Sequence, residues 1–167
     1  HAFAGLNGDM FYRSQKGINT YRNARIEYSQ RWNQTPISRE VNYWLKPDRR
    51  DYLEYAQMVT WQNMMLCGCS PQIAPPNNSA FGFHRFCRGM VVFDADSMST
   101  AGRDGEPVWH GMWSGIRPWA FAVGYIGNQE RAFTFSYDRD GRNRLYEFTL
   151  TNGNDVFGTG ATGFQRK

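Results

Sequence analysis

A chain of 167 residues is long enough to bury a sizeable core and suits one domain; because it starts at His1 with no initiator Met and runs out through Gly, Thr and Asn after Thr151, a segment of a longer polypeptide is expected. Aromatics at 16% together with 17 glycines favour short aromatic strands and tight turns over helices, which sets the expected class as all-β. The net charge of +4 is spread along the sequence, and Arg49-Arg50 sits between Asp48 and Asp51, so no clustered cationic face for nucleic acid is expected.

Residues 1–32 read as a blade hairpin. Met10-Phe11-Tyr12 leads into Ser14-Gln15-Lys16-Gly17 and then Ile18 to Tyr21, with Gly17 free to take the positive φ of a tight turn. Over 33–56 the period changes to that of a helical insertion. Thr35 is placed to cap a helix starting at Pro36, with Ile37, Val41, Trp44 and Leu45 on one face and Pro47 ending the run. Asp48 is then placed to cap a second turn through Asp51, Tyr52 and Leu53.

Residues 57–102 return to strands and loops: strand-like composition from Met58 to Cys69, a Pro- and Asn-rich loop from Ser70 to Ser79, and a strand from Phe86 to Asp94. Within that strand Met90-Val91-Val92-Phe93 is continuously apolar, the pattern of a strand buried on both faces. Ser97 to Pro107 is a polar turn region. Residues 103–167 form the most regular part, a meander of Ala120 to Tyr125, Arg131 to Tyr137 and Arg144 to Leu150. Its turns are Gly127-Asn128 and Asp138-Arg139-Asp140-Gly141. A lone meander cannot hide its apolar face, so it must press against another sheet. The expected architecture is therefore β-propeller-like blades, built as antiparallel meanders, with a short helical insertion near 35–55.

Five runs carry a resemblance: Asp9 to Ser14 with Gly17 to Arg22; Thr35 to Val41; His84-Arg85 with Arg88 to Val91; Trp113 to Ile116; and Glu130 to Phe133. In this order they resemble blade segments of the β-propeller proteins of tailed-phage particles, the tail, neck or hub components. The resemblance implies a structural virion protein that docks on neighbouring subunits or presents a surface to the host, located in the phage particle or otherwise extracellular. It brings no catalytic residues. The strands are too few for a closed ring, which leaves closure to other parts of the chain or to other chains.

The remaining constellations have plain readings beside sharper ones. Asp138, Asp140 and Gly141 belong to a stretch with oxygens enough for a calcium loop, but Glu147 arrives too early for that geometry, and a hairpin turn is expected. The same turn resembles the Asp-box of sialidase propellers, with one residue too many before the glycine. Cys67, Cys69, His84 and Cys87 match the ligand count of structural zinc, yet Cys67-Gly68-Cys69 has the wrong gap, and buried thiols act as small hydrophobes. An odd number of cysteines speaks against a disulfide-stapled secreted module. No apolar run reaches the roughly 20 residues of a membrane-spanning helix.

His1, with His84 or His110 as its partner, matches the amino-terminal copper site of secreted polysaccharide monooxygenases, an alternative enzymatic reading. No serine stands in a Gly-x-Ser-x-Gly elbow. Trp109, Trp113, Trp119, Phe121 and Tyr125 either pack between neighbouring sheets, as expected, or stack sugars in a carbohydrate-binding module. The expected function is a non-enzymatic scaffold with no cofactor or metal, its contact candidates being Trp109, Trp113, Trp119, Tyr125, Asp138, Asp140 and Gly141. Its expected partners are other subunits of a larger assembly, virion proteins among them, and a host-surface glycan. Neither membrane nor nucleic acid is expected, and the loops from Ser70 to Ser79 and from Ser97 to Pro107 are read as contact loops.

Overall fold

A computed structural model of the chain describes residues 2–22, 25, 36–74, 84–96, 108–137, 142–149, 154–155 and 164–165. Its strands form three antiparallel sheets plus a two-residue ladder between β11 (Asn154–Asp155) and β12 (Phe164–Gln165). The first sheet holds β1 (Phe3–Leu6), β2 (Asp9–Ser14) and β3 (Gly17–Thr20) in chain order. The hairpin around Gly17 forms as its composition requires. Gly17 sits at φ 140, and a Cβ there would lie 2.5 Å from Ser38 Oγ, so both backbone and packing demand glycine.

The strand β1 and the Asn7-Gly8 turn before Asp9 are additions to the sequence reading. Both turn residues have positive φ, 51 and 73, which is the two-residue hairpin turn that matches strand twist. Asn-Gly is the strongest short-range signal for that turn, and it stands in the sequence.

The helical insertion is shorter than expected. A 3-10 turn (Arg39–Val41) runs into α1 (Asn42–Leu45), and a second 3-10 stretch covers Arg50–Tyr55. Pro36 and Ile37 precede the helix because Ile37 N–H donates to Ile18 O at 2.9 Å, while Ile18 N–H donates to Ser38 Oγ at 2.9 Å. The chain is thus held on the free edge of β3, where an unpaired donor and acceptor would otherwise be left. Thr35 lies outside the described residues. The apolar face is placed as expected: Val41 and Leu45 are buried, with Ile37 and Trp44 packed against the same core. Asp48 is not a cap. Its carboxylate pairs with Arg13 at 2.8 Å, with both side chains only 1% exposed.

The central sheet holds β4 (Met58–Trp61), β5 (Met64–Ala74), β6 (His84–Asp94) and β7 (Val108–Ser114), again in chain order. The loop expected to begin at Ser70 does not, because β5 continues to Ala74 opposite His84. Ser70 takes φ 53 and donates its N–H to Asp48 Oδ2 at 3.1 Å, so a local deviation is absorbed inside the strand. Residues 75–79 of that loop reading, and the polar region from Ser97 to Pro107, lie outside the described residues. β7 pairs with β6, so Trp109 and Trp113 belong to the central sheet.

The third sheet is the expected meander: β8 (Arg117–Ile126), β9 (Gln129–Tyr137) and β10 (Asn143–Phe148). Gly127 and Asn128 turn the chain at φ 59 and 64.

Both faces of the central sheet are covered. Met65, Cys67, Cys69, Val91, Phe93 and Trp109 pack with Leu6, Phe11 and Ile18 of the first sheet and with Val41 and Leu45. Their alternates Met64, Leu66, Met90 and Val92 pack with Trp61, Ala132, Phe121, Val123 and Phe148 toward the third sheet. Met90-Val91-Val92-Phe93 is accordingly buried on both sides, as its unbroken apolar run requires. At roughly 1.5–3 kcal/mol per buried side chain, the two interfaces supply the main driving force for stacking.

Candidate contact surface

β9 carries an alternation that runs against the usual rule. Ala132, Thr134 and Ser136 face the central sheet and are fully buried, whereas Phe135 is exposed. The buried hydroxyls are satisfied: Thr134 Oγ1 donates to Ala120 O at 3.0 Å, and Ser136 Oγ accepts from Arg117 N–H at 2.7 Å. The outer face of the third sheet, by register, presents Ala120 and Ala122 from β8, Phe133, Phe135 and Tyr137 from β9, and Leu145 from β10.

Trp119 joins that face through a local irregularity. Pro118 pairs with Ser136 and Ala120 with Phe135, so Trp119 is the extra residue of a bulge, a device that re-aims one side chain. Its ring lies 5.4 Å from Phe135 and 6.4 Å, nearly parallel, from Tyr137. Phe135 is 38% exposed and stands opposite Leu145, which is 58% exposed. At the far end of the same face Arg131 pairs with Glu147 at 3.5 Å. Partial burial pushes the Tyr137 phenol up from its usual value.

A second exposed apolar area lies on the outer face of the first sheet. Phe3 is 61% and Met10 51% exposed, and with Tyr12, Leu53, Arg50 and Glu54 they line an open groove of about 440 Å³.

Of the residues singled out in the sequence, Trp109 is buried among Phe93 and Phe11, and its Nε1–H donates to Ile37 O at 3.2 Å. Trp113 is partly buried against the second core cluster. Both therefore belong to the packing between sheets, as the plainer reading of that segment has it. Trp119 lies on the open face, and Tyr125 is exposed on the other side of β8, beside exposed Ile126. Asp138, Asp140 and Gly141 lie outside the described residues. Phe135 and Leu145 were not singled out as contact residues. The signal available was the polar residue at every second position of Phe133-Thr134-Phe135-Ser136-Tyr137, read with the hydroxyls turned inward.

Among the described residues no group of three or more His, Cys, Asp or Glu side chains is placed to hold a metal ion. Cys67 and Cys69 lie in the first core cluster, while the Cys87 sulfur rests against Gly68, where an added Cβ would meet it at 2.8 Å. Burial pushes the Cys67 and Cys69 thiols up to about 12, and Cys87 is raised in the same direction. His110 Nε2 lies 3.3 Å from Asp94 Oδ2 at an exposed strand end, and Asp94 Oδ1 accepts from the Asp96 N–H. His1 and the side chain of His84 lie outside what is described. Among the described residues no helix is long and apolar enough to cross a membrane. Comparison with family profiles, with curated proteins and with solved structures finds no match to this chain.

Proposed function

We propose that this chain is a non-enzymatic assembly protein, a β-propeller-like scaffold that works by presenting a sheet face to other subunits. The observation that carries this reading is the inverted alternation of β9. A sheet whose outer face met only water would gain by turning Thr134 and Ser136 outward and Phe135 inward, since solvated faces of antiparallel sheets are normally polar. A contiguous exposed aromatic face is the usual mark of a surface that another protein covers.

Blade-like organisation has its own support: each sheet is a meander in chain order, and the sheets stack face on face as blades do. The resemblance to propellers of tailed-phage particles makes a virion assembly the proposed setting, with virion subunits as partners and a host glycan as a further ligand. Electron microscopy of the native particle tests the reading. Density of another sheet lying on Trp119, Phe135 and Leu145 supports it; a lone monomer with that face bare in its native setting contradicts it.

A further inference from the structure

The three sheets repeat one another at their starts. Each opens with a hairpin closed by two residues of positive φ: Asn7-Gly8 (51, 73), Gln62-Asn63 (46, 59) and Gly127-Asn128 (59, 64). The opening strands also lie in a row, β1 against β4 and β4 against β8. One stacking step thus leads from the first sheet to the central one, and a second leads on to the third. The row ends in two unlike open faces. On the third sheet Trp119, Phe135 and Leu145 form an exposed apolar ridge across the strands, with the Arg131–Glu147 pair farther along them. On the first, Phe3, Met10, Tyr12 and Leu53 line a groove together with Arg50 and Glu54.

Resting on the contact-surface reading above, we infer that the occupant of the third sheet's outer face is the first sheet of a second copy of this chain, joined head to tail. The ridge face carries Arg131 and Glu147, and the groove lining carries Arg50 and Glu54, its other cation Arg13 being buried against Asp48, so Arg131 can meet Glu54 while Glu147 meets Arg50. Three strands about 4.8 Å apart and up to ten residues long give a flat footprint of roughly 14 by 30 Å. That is about 400 Å² of flat area, about half of the roughly 800 Å² per partner of a standard specific interface, which places the contact at the small, weak end of the range. Because the two faces differ, the contact is heterologous and propagates from copy to copy into a ring or a filament.

Sedimentation of the purified chain at tens of micromolar, with two single-face variants, tests this. Phe135→Glu spoils the third-sheet face and Met10→Glu the first-sheet face; Leu145→Lys is a second third-sheet variant at a more exposed position, should Phe135→Glu lower stability. The unmodified chain is expected to self-associate, and each variant to do so at least about tenfold more weakly. An equimolar mixture of Met10→Glu with either third-sheet variant is expected to recover a dimer, since one protein keeps the ridge and the other the groove. A monomeric unmodified chain overturns the inference but leaves the contact-surface reading to the particle density. Loss of association in the third-sheet variants alone, or no recovery on mixing, also overturns it, because a face that pairs with itself gives those results.

Discussion

Arg13 and Asp48 are separated by 35 residues and meet in a space where both side chains are 1% exposed. Arg13 Nη2–H also donates to Leu45 O at 2.8 Å, and Asp48 Oδ2 accepts from Ser70 N–H, so this pair ties β2 to the helical insertion and to β5. Arg13 Nε and Nη1 and Asp48 Oδ1 have no hydrogen-bond partner among the described residues. A buried charge survives only while its partner is present, so Asp48→Ala is expected to destabilise the protein by roughly 3–5 kcal/mol in urea unfolding, and Arg13→Met combined with Asp48→Leu to recover part of that loss. The cysteines make a second residue-scale prediction. Folded Cys67 and Cys69 hold their protons until about 12, whereas unfolded thiols ionise near 9.0, so above pH 9 the unfolded state binds fewer protons. Stability is therefore expected to fall with rising pH between 9 and 12, by roughly 1 kcal/mol per pH unit per thiol, and to show no thiol-linked change below pH 9. Urea midpoints across that range check it, and Cys67→Ala is expected to flatten the slope.

At the scale of elements, the turns differ in how well their residues suit them. Asn7-Gly8 and Gly127-Asn128 have residues that accept positive φ, but Gln62 at φ 46 is a long side chain in a left-handed conformation, which costs about 1 kcal/mol. Gln62→Asn is expected to raise stability by roughly 0.5 kcal/mol, because the contact from the residue 62 N–H to Glu130 Oε2 is a backbone one and persists. Asn63→Gly is expected to gain nothing, since it deletes the Asn63 amide bond to Asp96. Matched thermal denaturation of the two variants separates conformational relief from lost hydrogen bonding. This is also where sequence reading worked best and failed most instructively. The Gly17 hairpin, the two-face strand at Met90 to Phe93 and the final meander were legible because each is written in adjacent residues. The helix start at Pro36 and the cap at Asp48 followed equally good local rules and were overridden. Ile37 is claimed by the edge of β3, and Asp48 by an arginine that no local window contains.

For the whole molecule, what local patterns do not encode is which sheet covers which face. Trp61 Nε1–H reaching Glu130 O spans 69 residues, and Trp109 Nε1–H reaching Ile37 O spans 72. The contact face was half legible for the same reason: Trp119 was a candidate, while Phe135 and Leu145 became visible only once Thr134 and Ser136 were found inside. The three-layer arrangement itself is open to test through two neighbouring residues of β6. Val91 belongs to the cluster beneath the first sheet and Val92 to the one beneath the third, and both are fully buried. Val91→Ala and Val92→Ala are each expected to cost roughly 1–3 kcal/mol, through lost transfer energy plus a residual cavity. Their side chains point into different layers and share no partners, so the double variant is expected to equal the sum within about 0.5 kcal/mol, although the residues are adjacent in sequence. A two-layer protein would instead leave one of the pair facing solvent, and that substitution would then change stability by no more than about 0.5 kcal/mol. Urea unfolding of the two single variants and the double decides between these, and a near-neutral Val92→Ala would remove the third sheet from the stack.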